Sequence, residues 1–294
     1  MGIGNKVLAL CLFQANLMGA DAFIPKPSMA SSKMALRSSE LPEDFQMFPF
    51  PSSEPLKRIE GGGTITTYTL PPDAERVQMF FKTDGRPMKA HIQTWLGPLR
   101  RTHELFIDVQ DGKLTPYRAT LKFKKGGQTL KISTTGSFEY PMWAGVSVPS
   151  LERAEQLRIN TENVWENALP EQKQTVQGGR VEGGGGAIRV WHVPNNVDSI
   201  QLLAWSFYTG KKSFKCHFEV AQGPNNNKQT FDLQCGGGSQ PYHAVIETPG
   251  EGWIVRMINK KFVEDGRYEA AVVPYKISDT PRMDAPPSRQ WWEN

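Results

Sequence analysis

Two stretches of the chain, residues 89–94 and 215–220, alternate between apolar or small side chains and polar ones with a period of two. Such alternation is typical of a β-strand with one side in a core and the other in water or against a partner. The predicted inward positions are Ala90, Ile92 and Thr94 in the first stretch and Cys216, Phe218 and Val220 in the second. The predicted outward positions are Lys89, His91 and Gln93, and Lys215, His217 and Glu219.

The two stretches belong to a longer duplication. Arg58–Gly63 reads Arg-Ile-Glu-Gly-Gly-Gly, and Arg180–Gly185 reads Arg-Val-Glu-Gly-Gly-Gly. Matching dipeptides follow in both copies, Gly97-Pro98 with Gly223-Pro224 and Pro116-Tyr117 with Pro241-Tyr242. A repeat this long is a whole folded unit used twice, unlike the short period of a solenoid. We therefore predict two β-domains, residues 55–149 and residues 180–276.

Each copy contains six or so short β-rich runs separated by turn residues, which predicts an all-β fold. The expected architecture is two tandem β-sandwich-like domains, or a related jelly roll, joined by a short helix and linker. The predicted strands of the first copy lie at 68–70, 77–81, 89–94, 105–109, 119–123 and 129–132. Those of the second lie at 191–193, 200–204, 215–220, 230–233, 244–246 and 254–257.

The pattern changes between the copies, at residues 150–179. Apolar residues recur there at helical spacing, Ser150 offers a start and Pro170 a stop, so a helix of about four turns is expected. A helix at this place would be positioned to pack between the two sandwiches, and Glu171–Gly179 is expected to be linker. Residues 277–294 form a proline-containing tail whose two tryptophans dock either on their own domain or on a neighbouring molecule.

Residues 1–22 have the pattern of a secretory signal peptide, with Lys6 before an apolar stretch. Residues 23–45 resemble a transit segment that begins at Phe23 and has no acidic residue before Glu40. This pairing resembles the bipartite presequence of diatom plastid proteins. We expect plastid import with cleavage near Ala22 and Phe23; plain secretion is the alternative.

Composition narrows the function classes. The formal net charge of +4 is small and the basic residues are scattered, which disfavours nucleic-acid binding. Beyond the expected signal peptide, Cys216 and Cys235 are the only cysteines, too few for a disulfide framework. No other apolar run is long enough to cross a bilayer, so we expect no transmembrane segment in the mature chain.

No catalytic pattern is present in the sequence. The glycine runs are followed by strands and lack the Lys-Ser/Thr of a phosphate-binding loop, so turns or bulges are expected. The histidines do not recur in a metal-binding arrangement between the copies, and Cys216 lies at an inward position. The five histidines are His91, His103, His192, His217 and His243. We expect no enzyme activity, no metal and no cofactor.

The candidate functional residues are therefore assembly residues. The charged residues that flank the glycine runs are expected to form exposed or interfacial ion pairs, and the two tail tryptophans to anchor a contact. These residues are Arg58, Glu60, Arg180, Glu182, Trp291 and Trp292. Trp95, Trp143 and Trp205 supply an alternative, a sugar-binding platform.

With the presequence, the repeated Arg-(Ile/Val)-Glu-Gly-Gly-Gly phrase and no catalytic constellation, the chain resembles the pyrenoid shell proteins, the PyShell family. The resemblance covers about residues 55–276. It implies a non-catalytic structural protein that assembles with itself, as a sheet or tube, around the Rubisco condensate of the plastid pyrenoid. This role limits CO2 leakage, and it leaves Rubisco or a Rubisco linker protein as a candidate partner. Two alternatives remain at this stage, a peripheral subunit of a plastid photosystem or antenna complex and a carbohydrate-binding β-sandwich protein.

Overall fold

A computed structural model of the protein describes residues 55–137, 139–177, 188–206, 214–223, 227–235, 240–260 and 267–278. Within these residues the chain forms sixteen β-strands and one α-helix, α1 (Leu151–Asn167). The strands of the first copy are β1 (Lys57–Ile59), β2 (Ile65–Thr69), β3 (Arg76–Lys82), β4 (Met88–Leu96), β5 (Arg100–Val109), β6 (Tyr117–Lys122), β7 (Gln128–Thr134) and β8 (Met142–Ser147). The remaining strands are β9 (Lys173–Gln177), β10 (Ile188–His192), β11 (Val197–Ser206), β12 (Phe214–Gln222), β13 (Asn227–Cys235), β14 (Tyr242–Glu247), β15 (Trp253–Asn259) and β16 (Arg267–Ile277).

The strands form two sheets of eight strands each, packed face to face. The first sheet has the order β1-β8-β3-β6-β14-β11-β16-β9, and the second has the order β10-β15-β12-β13-β5-β4-β7-β2. All strand pairings in the described part of the chain are antiparallel. The prediction of an all-β, sandwich-like fold is confirmed.

The two copies lie side by side and are joined by strand pairing in both sheets. In the first sheet β6 pairs with β14, and Ala119 lies opposite its repeat equivalent Ala244. In the second sheet β5 pairs with β13, and Ile107 lies opposite its equivalent Phe231. Equivalent residues that face each other mark an approximate twofold axis, which here runs through the centre of both sheets. The copies therefore form one continuous two-layer slab.

One hydrophobic core runs through this slab and includes residues from both copies. The predicted inward positions are all buried, with 0 or 1 % exposure at Ala90, Ile92, Thr94, Cys216, Phe218 and Val220. The aromatic ring of Tyr117 packs against Phe81 of its own copy and, at 5.3 Å between ring centroids, against Phe231 of the other. Since contacts like these cross the junction, the two copies share their apolar interior.

Helix α1 begins where the sequence predicts. Ser150 caps it, because its hydroxyl oxygen accepts a hydrogen bond from the backbone N–H of Arg153. The helix does not pack between two sandwiches but on the outside of the first sheet, where Leu157 contacts Val245 and Tyr275. Farther along, Val164 packs with Leu203 and Ala271. The reason is that β11, β14 and β16 present apolar side chains on their outward face as well as on their inward one.

The stretch after the helix, expected to be linker, contains strand β9. This strand pairs with β16 and places Val176, with 0 % exposure, in the core. Its sequence, Lys-Gln-Thr-Val-Gln, is mostly polar because an edge strand buries few side chains. Strands β1, β8 and β16 were also absent from the sequence prediction. Among the described residues, no helix has the length and apolar character to cross a membrane.

Candidate assembly surface

Each sheet ends in two edge strands, β1 and β9 in the first sheet and β2 and β10 in the second. Strands β2 and β10 are equivalent by the repeat alignment, since Tyr68 matches Trp191 and both strands are followed by a proline. They lie at opposite ends of the second sheet because the approximate twofold axis exchanges the two copies. Edge strands carry backbone groups that can pair with another chain.

The free backbone groups of β2 follow from its pairing with β7. Thr64 O accepts a hydrogen bond from the N–H of Thr134, and the N–H of Leu70 donates to Gln128 O. Because an antiparallel strand directs successive residues to opposite sides, the groups of Ile65, Thr67 and Thr69 point away from β7. These three residues are exposed.

Strand β10 has the same arrangement. The N–H of Val193 donates to Trp253 O, next to the last residue pair between β10 and β15. Arg189 and Trp191 therefore face β15, whereas Ile188, Val190 and His192 direct their backbone groups to the free edge. The Gln174 side chain of β9 already reaches this edge, where its Nε2 donates to Val190 O at 2.9 Å.

The outer face of the second sheet, the face turned away from the core, carries a network of cross-strand charges. In the second copy Glu219 accepts from Lys228 Nζ at 2.8 Å and Arg256 Nη1 at 2.9 Å. The hydrogen bond from Lys228, with the nearby positive charges, lowers the pKa of Glu219. His217 lies beside Glu219, and its Nδ1 is 2.8 Å from Asp232 Oδ1.

The first copy presents a related network with an aromatic centre. The ring of His91 stacks on Phe106 with 3.9 Å between centroids, and its Nε2 lies 3.0 Å from Glu104 Oε1. Lys89 and Asp108 form a further pair at 2.8 Å. Phe106 remains 43 % exposed. The arrangement offers charge complementarity and an apolar contact to a partner, whereas the exposed Lys89–Asp108 pair adds little to stability.

Of the sequence-predicted assembly residues, the structure describes Arg58 and Glu60. Arg58 Nε lies 3.3 Å from Glu60 Oε1 in an exposed ion pair, and its guanidinium lies over Trp143 at 6.0 Å from the ring centroid. Gly62 and Gly63 follow with φ of 73° and 85°, in a bend of the kind expected for this glycine run. The others lie outside the described residues: Arg180, Glu182, Trp291, Trp292 and the second glycine run, Gly183–Gly186.

Three buried side chains, His103, His243 and Cys235, have pKa values shifted by their burial. Burial lowers the pKa of His103 to about 4 and that of His243 to about 3, and it raises the pKa of Cys235 to about 12. Cys216 and Cys235 are free thiols. Across the described ranges, no three His, Cys, Asp or Glu side chains cluster in a way that could hold a metal ion.

The three tryptophans considered for sugar binding do not form one row. Trp95 lies on β4 of the second sheet, whereas Trp143 and Trp205 lie on β8 and β11, four positions apart in the first sheet. Trp205 meets Trp165 of helix α1 edge-on, with 4.1 Å between centroids. Trp205 therefore serves helix docking. Sequence reasoning expected edge strands at both ends of the molecule but did not identify β2 and β10 as edges, for which the prolines that end both strands were the available signal.

Comparison with solved structures gives distant likenesses. The PBSX exported protein XepA has 8 % identity and a TM-score of 0.24, covering 74 % of this chain and 84 % of that one. The tandem CBM22-1–CBM22-2 domains of Paenibacillus barcinonensis Xyn10C have 9 % identity and a TM-score of 0.25, covering 76 % and 92 %. Procruciferin, an 11S globulin of Brassica napus, has 8 % identity and a TM-score of 0.16, covering 79 % and 88 %. Scores this low carry no functional argument.

No curated protein matches the chain. A family model does match: residues 50–274 correspond to the family described as diatom pyrenoid shell protein. The match includes both repeats, helix α1 and nearly all of the two-sheet slab. The chain belongs to the diatom pyrenoid shell protein family.

Proposed function

We propose that copies of this protein assemble into a thin layer around the Rubisco-containing pyrenoid, and that the role is structural and not catalytic. The layer supports carbon fixation by slowing the escape of CO2. The observation that carries the proposal is the fusion of both repeats into one slab, joined by β6 with β14 and by β5 with β13. A slab with one core is a rigid unit, which suits a building element.

The continuous core also suits a barrier. Residues of both sheets and both copies pack into one cluster, so the junction between the copies is filled with side chains. Protein interiors are close-packed and contain few voids larger than a water molecule. In a layer of such slabs, the passage of a small solute is governed by the seams between molecules.

A layer needs contacts on more than one side of the molecule. The slab offers edge strands at both ends of each sheet and a charged outer face on the second sheet. Arg58, Glu60, Arg180, Glu182, Trp291 and Trp292 are proposed contributors. The principal partner is the protein itself, with Rubisco or a Rubisco linker protein as a second. No cofactor is needed. We propose delivery to the plastid by the signal peptide and transit segment of residues 1–45.

Localisation and assembly test the proposal together. A fluorescent protein fused to the C-terminus is expected to form a rim around the Rubisco signal in cells, and a diffuse plastid or thylakoid signal would contradict a shell. The purified chain without the expected signal peptide, residues 23–294, is expected to form sheets or tubes under negative-stain electron microscopy. Persistent monomers over a wide range of salt and protein concentration would contradict self-assembly.

A further inference from the structure

We propose that β2 of one molecule pairs antiparallel with β10 of the next, so that the second sheet continues from copy to copy. The inference rests on the proposed self-assembly and specifies one of its contacts. It predicts an interface held by backbone hydrogen bonds between β2 and β10, which we call the seam. In the seam, Thr67 lies opposite Val190 of the neighbouring copy. In that register Ile65 faces His192 and Thr69 faces Ile188.

The backbone groups that the two edge strands direct away from their sheet are in phase. On β2 they belong to Ile65, Thr67 and Thr69, and on β10 to Ile188, Val190 and His192, as their pairing with β7 and β15 requires. In both strands these residues also direct their side chains to the outer face of the sheet. Residues opposite each other in an antiparallel pair share a face, so the strands can bond without turning either sheet over.

The strand directions fit as well. The second sheet has eight strands and all of its neighbours are antiparallel, so its first and last strands run in opposite directions. A second copy in the same orientation, placed beside the first, therefore brings β10 antiparallel to β2. Repetition of one head-to-tail contact extends the sheet without limit. Since strands twist, this contact builds a row of molecules, and other contacts must join rows into a layer.

The side chains of both edges are suited to pairing. Ile65, Ile188 and Val190 are 56 %, 44 % and 40 % exposed, so pairing would remove apolar surface from water. Natural edge strands are commonly protected by charge, proline or a bulge. Strand β2, with the sequence Ile-Thr-Thr-Tyr-Thr, contains no charged residue and no proline.

Gln174 provides partial protection at the other edge. Its side chain donates to Val190 O, a backbone acceptor that the N–H of Thr67 would use in the proposed seam. Arg189 Nη1 likewise donates to Ile188 O at 2.9 Å, the acceptor that the N–H of Thr69 would use. Pairing requires both side chains to swing away, and it exchanges two hydrogen bonds for two others. Self-pairing of two β10 strands would displace the side chains that cover this edge on both molecules and bring two Arg189 residues near each other. Pairing of β10 with β2 displaces them on one molecule only and keeps the Arg189 residues apart.

Proline substitutions test the seam. Thr67→Pro and Val190→Pro each remove a backbone N–H that the fold does not use, and proline is tolerated at such edge positions. Each variant is expected to raise the protein concentration needed for assembly by about tenfold or more. Thr67→Ala and Val190→Ala are the matched controls, because they truncate the same side chains but keep the N–H, and both are expected to assemble.

Mixing the two proline variants distinguishes head-to-tail pairing from self-pairing. The double variant Thr67→Pro/Val190→Pro lacks both edges and sets the level of association through other contacts. At a concentration where it is monomeric by light scattering, each single variant is also expected to be monomeric, whereas an equal mixture of the two is expected to contain heterodimers. Dimers of a single variant under these conditions would indicate self-pairing of its remaining edge and overturn the inference. Gln174→Ala is expected to accelerate assembly of the full chain, and a slower assembly would contradict its protective role.

The outcomes also separate the seam from the wider proposal. If the unmodified chain assembles and both proline variants assemble equally well, the seam is wrong and self-assembly stands. If the unmodified chain stays monomeric, self-assembly itself fails. Circular dichroism and thermal unfolding of each variant confirm that the sandwich is intact. An unfolded variant is replaced by Ile65→Pro or His192→Pro, which remove another N–H of the same free edge and for which the same outcomes apply.

Discussion

The phenol oxygens of Tyr117 and Tyr242 lie 3.1 Å apart in the buried centre of the slab. The two residues are repeat equivalents, since each follows a proline in its copy. Burial raises the pKa of both phenols, so both remain protonated and one donates its hydrogen bond to the other. The duplication has thus brought one residue and its copy into direct contact across the junction.

Removal of one of these hydroxyls is expected to weaken the junction. Tyr117→Phe leaves the Tyr242 hydroxyl buried without this partner, which costs about 1–3 kcal/mol of unfolding free energy. The double variant Tyr117→Phe/Tyr242→Phe is expected to lose less than the sum of the single variants, because it removes both polar groups. Urea unfolding measures all three, with Tyr68→Phe on β2 as the control. Strict additivity would mean that the two hydroxyls are not coupled.

The docking of helix α1 is tested by two leucines of the same helix. Leu157 is 3 % exposed and contacts Val245, whereas Leu151 is 70 % exposed. Leu157→Ala is expected to lower the unfolding free energy by about 2–5 kcal/mol, the usual range for a buried leucine. Leu151→Ala is expected to change it by less than about 0.5 kcal/mol. Equal effects would mean that the helix is not held on the sheet through Leu157.

Local pattern predicted twelve of the sixteen strands in the described part of the chain, because the alternation of apolar and polar side chains along a strand reflects which of them are buried. Ala90, Ile92, Cys216 and Phe218 illustrate this, since their alternation with polar neighbours needs no knowledge of the partner strand. Local pattern missed β1, β8, β9 and β16. The start of helix α1 at Ser150 could also be predicted from local sequence. The junction between the copies could not be predicted in this way, because the position of Ala119 opposite Ala244 depends on the pairing of strands far apart in sequence.

The packing of helix α1 on the outside of the first sheet could not be predicted from the hydrophobic periodicity of the helix either. Its buried side combines Leu157 and Val164 with Asn160, so the helix lacks a clean apolar stripe. The better signal was in β11, where Ile200–Ala204 is apolar or buried on both faces and therefore calls for a cover on each side. The candidate assembly edges depend on which strands end each sheet, and that order arises only from the complete set of long-range pairings.

Acidification is expected to destabilise the protein through His243. Burial, with the nearby charge of Arg76, lowers the pKa of His243 from its usual 6.5 to about 3. Between these values the unfolded chain binds a proton that the folded chain does not, so the unfolding free energy falls as pH falls. The loss begins near pH 6.5 and approaches about 1.4 kcal/mol per pH unit for this residue. His103, with its pKa lowered to about 4, acts in the same direction.

His243→Gln tests this dependence. Glutamine stays neutral beside Thr161 and Gln201, the two partners of the imidazole, so the slope of unfolding free energy between pH 5 and pH 7 is expected to become smaller. Some slope remains because His103 is retained. His192→Gln, at an exposed position, is the control for the loss of one histidine from the chain. An unaltered slope in His243→Gln would show that this histidine is not kept neutral by the fold.

The two core cysteines are expected to resist thiol reagents as long as the sandwich is folded. Cys216 and Cys235 lie on neighbouring strands with their side chains inward, and burial raises the pKa of both thiols, that of Cys235 to about 12. Thiolate is the reactive form, so at pH 8 the native chain is expected to react with Ellman's reagent far more slowly than the urea-unfolded chain. In a Cys11→Ser background these two are the only cysteines of the chain. Leu99→Cys in that background, at a position 92 % exposed, is expected to react at once and shows that the reagent is active. Rapid reaction of the native background chain would mean that the slab opens at β12 and β13 on the time scale of the assay, which is incompatible with a rigid barrier unit.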